Sequence, residues 1–282
     1  MTEHTRIGVV GVGQMGRGIA EVFARAGRDV VVTDTAPEAL AAAPDRIAAS
    51  LARAVRKGLP GSTVALDRIR YSADLAGLHD RTLVIEAVAE DEAVKTAVFR
   101  ELDAVVTDPG AVLASNTSSI PIIRLAMSTR RPDRVVGLHF FNPVPVMDLV
   151  EIVPSLTTDP EVTREVEELL GKELGKTMIR ASDRAGFVVN ALLIPYLLSA
   201  IRMLESGFAT ATAIDAGMRL GCAHPMGPLA LTDLIGLDTT AAIAESLYDE
   251  FREPHYAPPA LLRRMIDAGH VGRKTGQGFF GY

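Results

Sequence analysis

Short apolar runs separated by longer helical segments fill the first two thirds of the chain. The runs at residues 7–10, 29–34, 83–88, 111–115, 134–139 and 175–180 predict strands. One helix is predicted from Pro37 to Lys57, and another from Asp159 to about Leu174. Because strands that alternate with helices form a sheet with covered faces, we expect an α/β domain with a mostly parallel sheet over residues 1–184.

The pattern changes after residue 186, where the strand signal stops. Residues 187–204 are apolar on nearly every face of a helix, which is typical of a buried helix at the centre of a bundle. Further helices are predicted at about 210–220, 228–249 and 258–268. We therefore expect a second, all-helical domain over residues 185–282, with the long helix in a dimer interface.

Composition and charge limit the classes of function. The chain has 282 residues, 48% of them hydrophobic, and a net charge of −6, which argues against a nucleic-acid-binding surface. Cys222 is the single cysteine, so an internal disulfide and a Cys-rich metal site are excluded, and a reducing cytoplasm is favoured. The histidines show no metal-ligand spacing, and no segment has the pattern of a signal peptide or a membrane span. We expect no metal and no membrane partner.

The first strand runs directly into a glycine-rich turn, Gly11-Val12-Gly13-Gln14-Met15-Gly16, and a helix follows it. This G-x-G-x-x-G pattern between strand and helix is typical of a dinucleotide site. Gly11 permits the tight turn, Gly13 lets a pyrophosphate approach the backbone, and Gly16 allows close packing of helix and strand. The N–H groups at the helix N-terminus would face the phosphates.

Asp34 closes the second predicted strand, 18 residues after Gly16. A carboxylate at this place accepts hydrogen bonds from the adenosine ribose and repels a 2′-phosphate, which favours NAD over NADP. The other interpretation is an ordinary helix N-cap.

Two further polar groups have both a structural and a functional interpretation. On the helix after Asp34, Arg46, Ser50, Arg53 and Lys57 form one stripe, which is either a solvated face or an edge that binds a phosphate. The cluster Asn116-Thr117-Ser118-Ser119 follows a buried strand, where ligands bind in open α/β sheets, but its serines could also cap the next helix.

His139 ends a predicted strand, and we expect it at the same sheet edge as the glycine turn. The local sequence by itself favours a hydrogen-bonded core histidine, but the position at this sheet edge makes His139 a candidate general base. Glu151 lies in the apolar segment after a stiff spacer that contains Pro143 and Pro145. If Glu151 contacts His139, it would orient the imidazole ring and stabilise its protonated form.

Together these residues resemble the short-chain L-3-hydroxyacyl-CoA dehydrogenase family, close to its bacterial 3-hydroxybutyryl-CoA dehydrogenases. The resemblance covers essentially the whole chain. The segments that carry it are 11–16, 114–119, 137–151, 186–190, 225–228 and 274–279. It implies a Rossmann-like first domain, an all-helical second domain that forms a homodimer, NAD as cofactor, and an acyl-CoA thioester such as 3-hydroxybutyryl-CoA as substrate.

The resemblance also implies roles for individual residues. His139 would take the hydroxyl proton, Glu151 would hold His139, and Ser118 and Asn190 would bind the reacting oxygens of the substrate. Ser50 and Lys57 would bind coenzyme A. The cofactor would be held by Gly11, Val12, Gly13, Gln14, Met15, Gly16, Asp34, Glu90, Lys95, Asn116, Ser118, Asn142 and Lys274.

Two alternatives stay open. An enzyme of the same fold could act on a polyol or sugar acid, as gulonate dehydrogenase does, but it would not need Phe140-Phe141 or the basic stripe. A non-catalytic NAD-binding protein would be indicated by loss of His139 or Glu151, and both residues are present.

Overall fold

The computed structural model of the protein describes residues 5–282. The chain forms two compact units, of which the first ends at Arg184 and the second runs Ala185–Tyr282. Among the described residues, no helix is long and apolar enough to span a membrane. The same residues contain no group of three or more His, Cys, Asp or Glu side chains that could hold a metal ion.

An eight-stranded sheet forms the centre of the first unit, in the order β3-β2-β1-β4-β5-β6-β7-β8. The strands are β1 (Arg6–Val10), β2 (Asp29–Thr33), β3 (Ile69–Ser72), β4 (Leu83–Glu86), β5 (Val112–Ser115), β6 (Val135–Phe140), β7 (Leu149–Pro154) and β8 (Thr177–Arg180). Neighbouring strands are parallel except for β6 and β7, which are antiparallel. The predicted mostly parallel α/β sheet is therefore confirmed. Strand β3 was not predicted.

Helices pack on this sheet. They are α1 (Gln14–Arg25), α2 (Pro37–Arg56), α3 (Glu92–Val105), α4 (Ile122–Ala126) and α5 (Pro160–Glu168), and a π-helical turn (Leu169–Glu173) continues α5. The core is built from strand residues such as Val9 and Val32, with Phe23 of α1 and Ile47 of α2 packed against them. Because central strands are buried on both faces, their sequences are nearly continuous apolar runs.

The second unit contains α6 (Val189–Glu205), α7 (Ala211–Gly221), α8 (Pro228–Ile235), α9 (Leu237–Phe251) and α10 (Ala260–Asp267). The single helix predicted at 228–249 is wrong, because Gly236 has φ +104°, outside the helical region, and separates α8 from α9. Helix α6 is also not buried on every face, since Leu192 is 73% exposed.

Candidate active site

The glycine-rich turn joins β1 to α1 with little space for side chains. Gly11 has φ +102°, and a Cβ there would lie 2.6 Å from the carbonyl oxygen of Ala87, just beyond β4. A Cβ on Gly16 would lie 1.9 Å from the carbonyl oxygen of Gly11, so Gly16 is needed by the turn itself more than by packing on the strand. A Cβ on Gly13 would meet no atom within 4 Å, which leaves room for a ligand at the N-terminus of α1.

Small-molecule sites in proteins typically measure about 300–1,000 Å³. The cavity beside this turn measures about 620 Å³. It lies at the carboxyl ends of β1, β2 and β4, where the strand order reverses and dinucleotides bind in such sheets. Asp34 lines it, and its carboxylate accepts hydrogen bonds from the backbone N–H groups of Val12 (2.8 Å) and Ala36 (2.8 Å). The open space at Gly13 and the carboxylate of Asp34 fit the pyrophosphate and ribose of a dinucleotide.

A chain of ionic and hydroxyl groups lies at the ends of β4 and β5. Lys95 of α3 is 1% exposed, and its Nζ is 2.6 Å from Glu86 Oε1 and 3.3 Å from Glu90 Oε2. The other oxygen of Glu86 accepts a hydrogen bond from Ser115. Lys95 does not line the cavity beside the glycine turn, and its ammonium group contacts the carboxylates of Glu86 and Glu90.

One carboxylate oxygen of Glu90 accepts several hydrogen bonds from the Thr117–Ser119 segment. Glu90 Oε1 accepts hydrogen bonds from the hydroxyl of Thr117 (2.6 Å) and from the backbone N–H groups of Ser118 (2.8 Å) and Ser119 (3.1 Å). Burial alone would raise the pKa of Glu90, but the Lys95 ammonium and these hydrogen bonds outweigh it and lower that pKa. The cluster is thus held by an ionised carboxylate.

His139 and Glu151 are directly opposite each other on the antiparallel strands β6 and β7. His139 Nδ1 lies 2.6 Å from Glu151 Oε2, and the two residues are 7% and 0% exposed. The predicted contact is therefore present. It arises from strand register, because opposite residues in an antiparallel pair project to the same face. The Phe141 ring packs edge-on against the imidazole at 4.7 Å.

The strand that carries His139 is fixed by its neighbours. The side-chain oxygen of Asn116 accepts a hydrogen bond of 2.9 Å from the backbone N–H of Phe140. Lys176 is 9% exposed and donates to the carbonyl oxygens of Val144 (2.8 Å) and Met147 (2.6 Å), in the loop between β6 and β7. Burial lowers the pKa of Lys176. Asn142 lies in the same loop and is exposed.

A second cavity of the first unit, of about 340 Å³, lies between α1, α2 and this loop. Arg46, Ser50 and Arg53 of the predicted stripe line it together with Asn142. Lys57 is the C-cap of α2 and does not line the cavity. The structure thus brings three of the four stripe residues together.

In the second unit, Asn190 lies in the first turn of α6 and is 8% exposed. Lys274 lies in a short 3₁₀ turn (Arg273–Thr275), and its Nζ is 2.5 Å from Asp238 Oδ2.

Two residues of the first unit were not singled out in the sequence. The sequence could have identified Glu86, because a carboxylate within an apolar strand must have a buried partner. No pattern in the sequence indicated Arg17, yet it lines the cavity beside the glycine turn and the cavity beside Ser50, and it donates a hydrogen bond to the carbonyl oxygen of Val12.

Comparison with known proteins gives matches over both units. The family described as 3-hydroxyacyl-CoA dehydrogenase, NAD binding domain, matches residues 6–184, and the family described as 3-hydroxyacyl-CoA dehydrogenase, C-terminal domain, matches residues 186–282. A 3-hydroxybutyryl-CoA dehydrogenase of Mycobacterium tuberculosis is 57% identical over 280 residues, with 98% of each chain covered.

Solved structures are similar over the same length. The crystal structure of M. tuberculosis FadB2 has a TM-score of 0.97 at 56% identity, with 100% of both chains covered. The crystal structure of (S)-3-hydroxybutyryl-CoA dehydrogenase from Ralstonia eutropha has a TM-score of 0.93 at 43% identity, with 99% of both chains covered.

Proposed function

Because the chain belongs to the 3-hydroxyacyl-CoA dehydrogenase family, we propose that it interconverts (S)-3-hydroxyacyl-CoA and 3-oxoacyl-CoA with NAD as cofactor. The substrate we assign is 3-hydroxybutyryl-CoA, with acetoacetyl-CoA as its oxidised form, as the names of the relatives indicate. We assign NAD binding to residues 1–184, and substrate binding and dimerisation to residues 185–282.

The observation that carries this proposal is the buried His139–Glu151 pair at 2.6 Å. Oxidation of a secondary alcohol removes a hydride from the carbon and a proton from the hydroxyl, so a base must act at that hydroxyl. Bound NAD supplies the hydride acceptor at its nicotinamide ring. With Nδ1–H donating to Glu151, the second ring nitrogen of His139, Nε2, is the atom that we assign to proton transfer. In the reducing direction the same nitrogen returns the proton to the substrate oxygen.

Glu151 acts on the reaction through His139 and is therefore a positioning residue. Its carboxylate fixes the tautomer and the orientation of the ring and balances the charge of the imidazolium. We assign the binding of the substrate's reacting oxygen to Ser118 and Asn190. Ser118 suits this role because its backbone is held by Glu90 at 2.8 Å.

The other binding residues are assigned from the residues that line the two cavities and from the family resemblance. We assign the pyrophosphate and ribose of NAD to the 11–16 turn and Asp34, and further cofactor contacts to Asn142 and Lys274. We assign Glu90, Lys95 and Asn116 to the support of the cofactor site. Lys95 contacts Glu90, Glu90 holds the Ser118 backbone, and Asn116 accepts from the backbone N–H of Phe140. We assign coenzyme A to Ser50 and Lys57, and the arginines beside Ser50 support that choice.

We also propose that the helical unit forms a homodimer in the cytoplasm. Large apolar side chains of this unit are exposed, namely Leu192 (73%), Met203 (40%), Phe208 (80%) and Leu220 (83%). Burial of such side chains against a second copy of the chain would remove apolar surface from water. Light scattering should give twice the chain mass, and Leu192→Glu should shift it to the monomer. The single, exposed Cys222 suits a reducing compartment, which cell fractionation would test.

The activity is tested with purified protein by following NADH oxidation at 340 nm in the presence of acetoacetyl-CoA. We expect turnover with acetoacetyl-CoA and NADH, slower turnover with NADPH, and none with L-gulonate and NAD. Turnover of L-gulonate without acetoacetyl-CoA would instead support the sugar-acid enzyme.

His139→Gln tests the base and should lower kcat about a thousandfold, within the range for loss of a general base. His270→Gln is the matched control, because His270 is exposed and lies in the other unit. A His139→Gln protein with the kcat of the control would remove His139 from the mechanism.

A further inference from the structure

The cavity beside Ser50 is strongly basic. Arg17 of α1 and Arg46 and Arg53 of α2 line it, and its volume is about 340 Å³. The third wall is the 142–145 loop, which carries no ionisable group. Guanidinium groups that converge on a small cavity are suited to a phosphate.

A buried carboxyl group lies in the wall of this basic cavity. Glu21 of α1 is 2% exposed. Its Oε1 has no hydrogen-bond partner among the residues that the structure describes, and its closest ion-pair contact is Arg25 Nη1 at 3.9 Å. A carboxylate is a poor neighbour for a bound phosphate, because the two negative charges repel. Binding of a phosphate in this cavity therefore depends on whether Glu21 is ionised or neutral.

The surroundings of Glu21 act on its charge in opposite directions. Burial raises the pKa of Glu21, while a hydrogen bond with Ser50 and the guanidinium groups of Arg25 and Arg53 lower it, and the net shift is upward. Arg17 and Arg46 also face the cavity. Lys176 is behind the loop wall, where its Nζ bonds to the carbonyl oxygen of Val144.

We propose that Glu21 is a proton-linked specificity residue, whose neutral form permits and whose ionised form weakens the binding of the phosphate groups of coenzyme A in this cavity. This inference rests on the proposed function. Linkage makes the effect reciprocal: a bound phosphate favours the protonated carboxyl, and protonation favours the phosphate. Binding of coenzyme A is then accompanied by proton uptake at Glu21.

The direction and size of the effect follow from this linkage. A coupling of one pKa unit corresponds to a tenfold difference in affinity between the two protonation states, so we expect a change of about tenfold. Affinity for coenzyme A should fall as the pH rises through the titration of Glu21. In Glu21→Gln, which is neutral at every pH, this part of the pH dependence should be absent.

The test is calorimetric titration of the full-length protein with coenzyme A between about pH 5 and pH 9. The readout is the ratio of Kd for the wild type to Kd for Glu21→Gln, which cancels the titration of the ligand's own phosphate. We expect a ratio near one at the acidic end and about ten at the alkaline end. Titration with NADH should give a ratio near one throughout.

Controls separate the outcomes. Glu38→Gln removes one negative charge from an exposed position on α2 and should give a flat ratio. If Glu21→Gln does not fold, Glu21→Met provides a second neutral side chain that suits a buried position. A flat ratio for a folded Glu21 variant, or a pH-dependent ratio for NADH in place of coenzyme A, would overturn the inference. Absence of coenzyme A binding by the wild type would instead overturn the proposed function.

Discussion

Glu151→Gln is the substitution that most directly tests how the site operates. The amide keeps the size of the side chain and an oxygen that can accept from His139 Nδ1. It removes the negative charge 2.6 Å from the imidazole, at a position that is fully buried. The variant therefore separates the orientation of the ring from the balance of its charge.

The magnitude follows from the distance and the burial. A hydrogen bond to a charged partner contributes about 1.5–3 kcal/mol, against about 1 kcal/mol for a neutral pair. Unit charges about 4 Å apart attract by about 4 kcal/mol at an effective dielectric constant of about 20. These two figures describe the same contact and are not added. A loss of about 3 kcal/mol from the transition state, in which the imidazolium forms, lowers kcat about a hundredfold.

The assay is the initial rate of (S)-3-hydroxybutyryl-CoA oxidation at saturating NAD, the direction in which the imidazolium forms, with the KM values of both substrates. We expect kcat to fall about a hundredfold while KM changes little, because Glu151 does not touch either ligand in the proposed mechanism. Glu168→Gln, whose side chain is 42% exposed, serves as the control. Thermal unfolding of both variants shows whether the fold is kept. A folded Glu151→Gln protein within threefold of the control in kcat would refute the charge-balancing role.

Three other substitutions test the surrounding structure. Gly16→Ala places a Cβ 1.9 Å from the carbonyl oxygen of Gly11, so the turn must move, and the Kd for NADH from fluorescence titration should rise at least about tenfold. The pKa of Glu90 is lowered from 4.5 in the folded protein, so its stabilisation is present above that value and is lost as the pH falls through the folded-state pKa. Glu90→Gln should therefore cost about 1 kcal/mol in urea unfolding at neutral pH, discounted for its partial exposure, and less at acidic pH. Lys176→Met leaves the carbonyl groups of Val144 and Met147 without their donor and should destabilise the fold by about 1–3 kcal/mol, whereas the exposed Lys172→Met should change stability little.

The sequence was informative wherever one residue type meets a local requirement. The glycine turn and the apolar strands β1, β2, β4, β5 and β6 were all predicted, because strand burial and tight turns leave direct patterns in a sequence. Strand β3 was missed because it is short, is at the edge of the sheet, and carries the exposed Arg70. The break at Gly236 was missed because the apolar pattern continues across it, and a glycine within a helical pattern does not by itself show a positive φ.

The site depended on information that a linear pattern does not contain. The prediction that Glu151 contacts His139 was confirmed, but its cause, the antiparallel register of β6 and β7, was not predictable from the apolar run around Glu151. The position of Lys95 is a similar case. The resemblance implied a cofactor contact for Lys95, and no pattern in the sequence indicated that two carboxylates, at 2.6 and 3.3 Å, hold its ammonium group in a buried position.

Two buried contacts of the first unit, the Glu86–Lys95 ion pair and the His139–Glu151 hydrogen bond, are better explained by positioning than by stability. Removing two charges from water costs several kcal/mol per ion, so a buried pair often stabilises a fold no more than apolar residues of the same volume. What each pair does provide is a fixed polar group at the carboxyl edge of the sheet. Glu86 and Lys95 set the place of Glu90, which in turn holds the Ser118 backbone, and Glu151 sets the imidazole of His139. Preorganised groups of this kind lower a barrier because they need no rearrangement as charge develops. In the proposed mechanism these side chains therefore position the reacting groups, whereas the apolar strands of the sheet supply most of the buried surface that stabilises the unit.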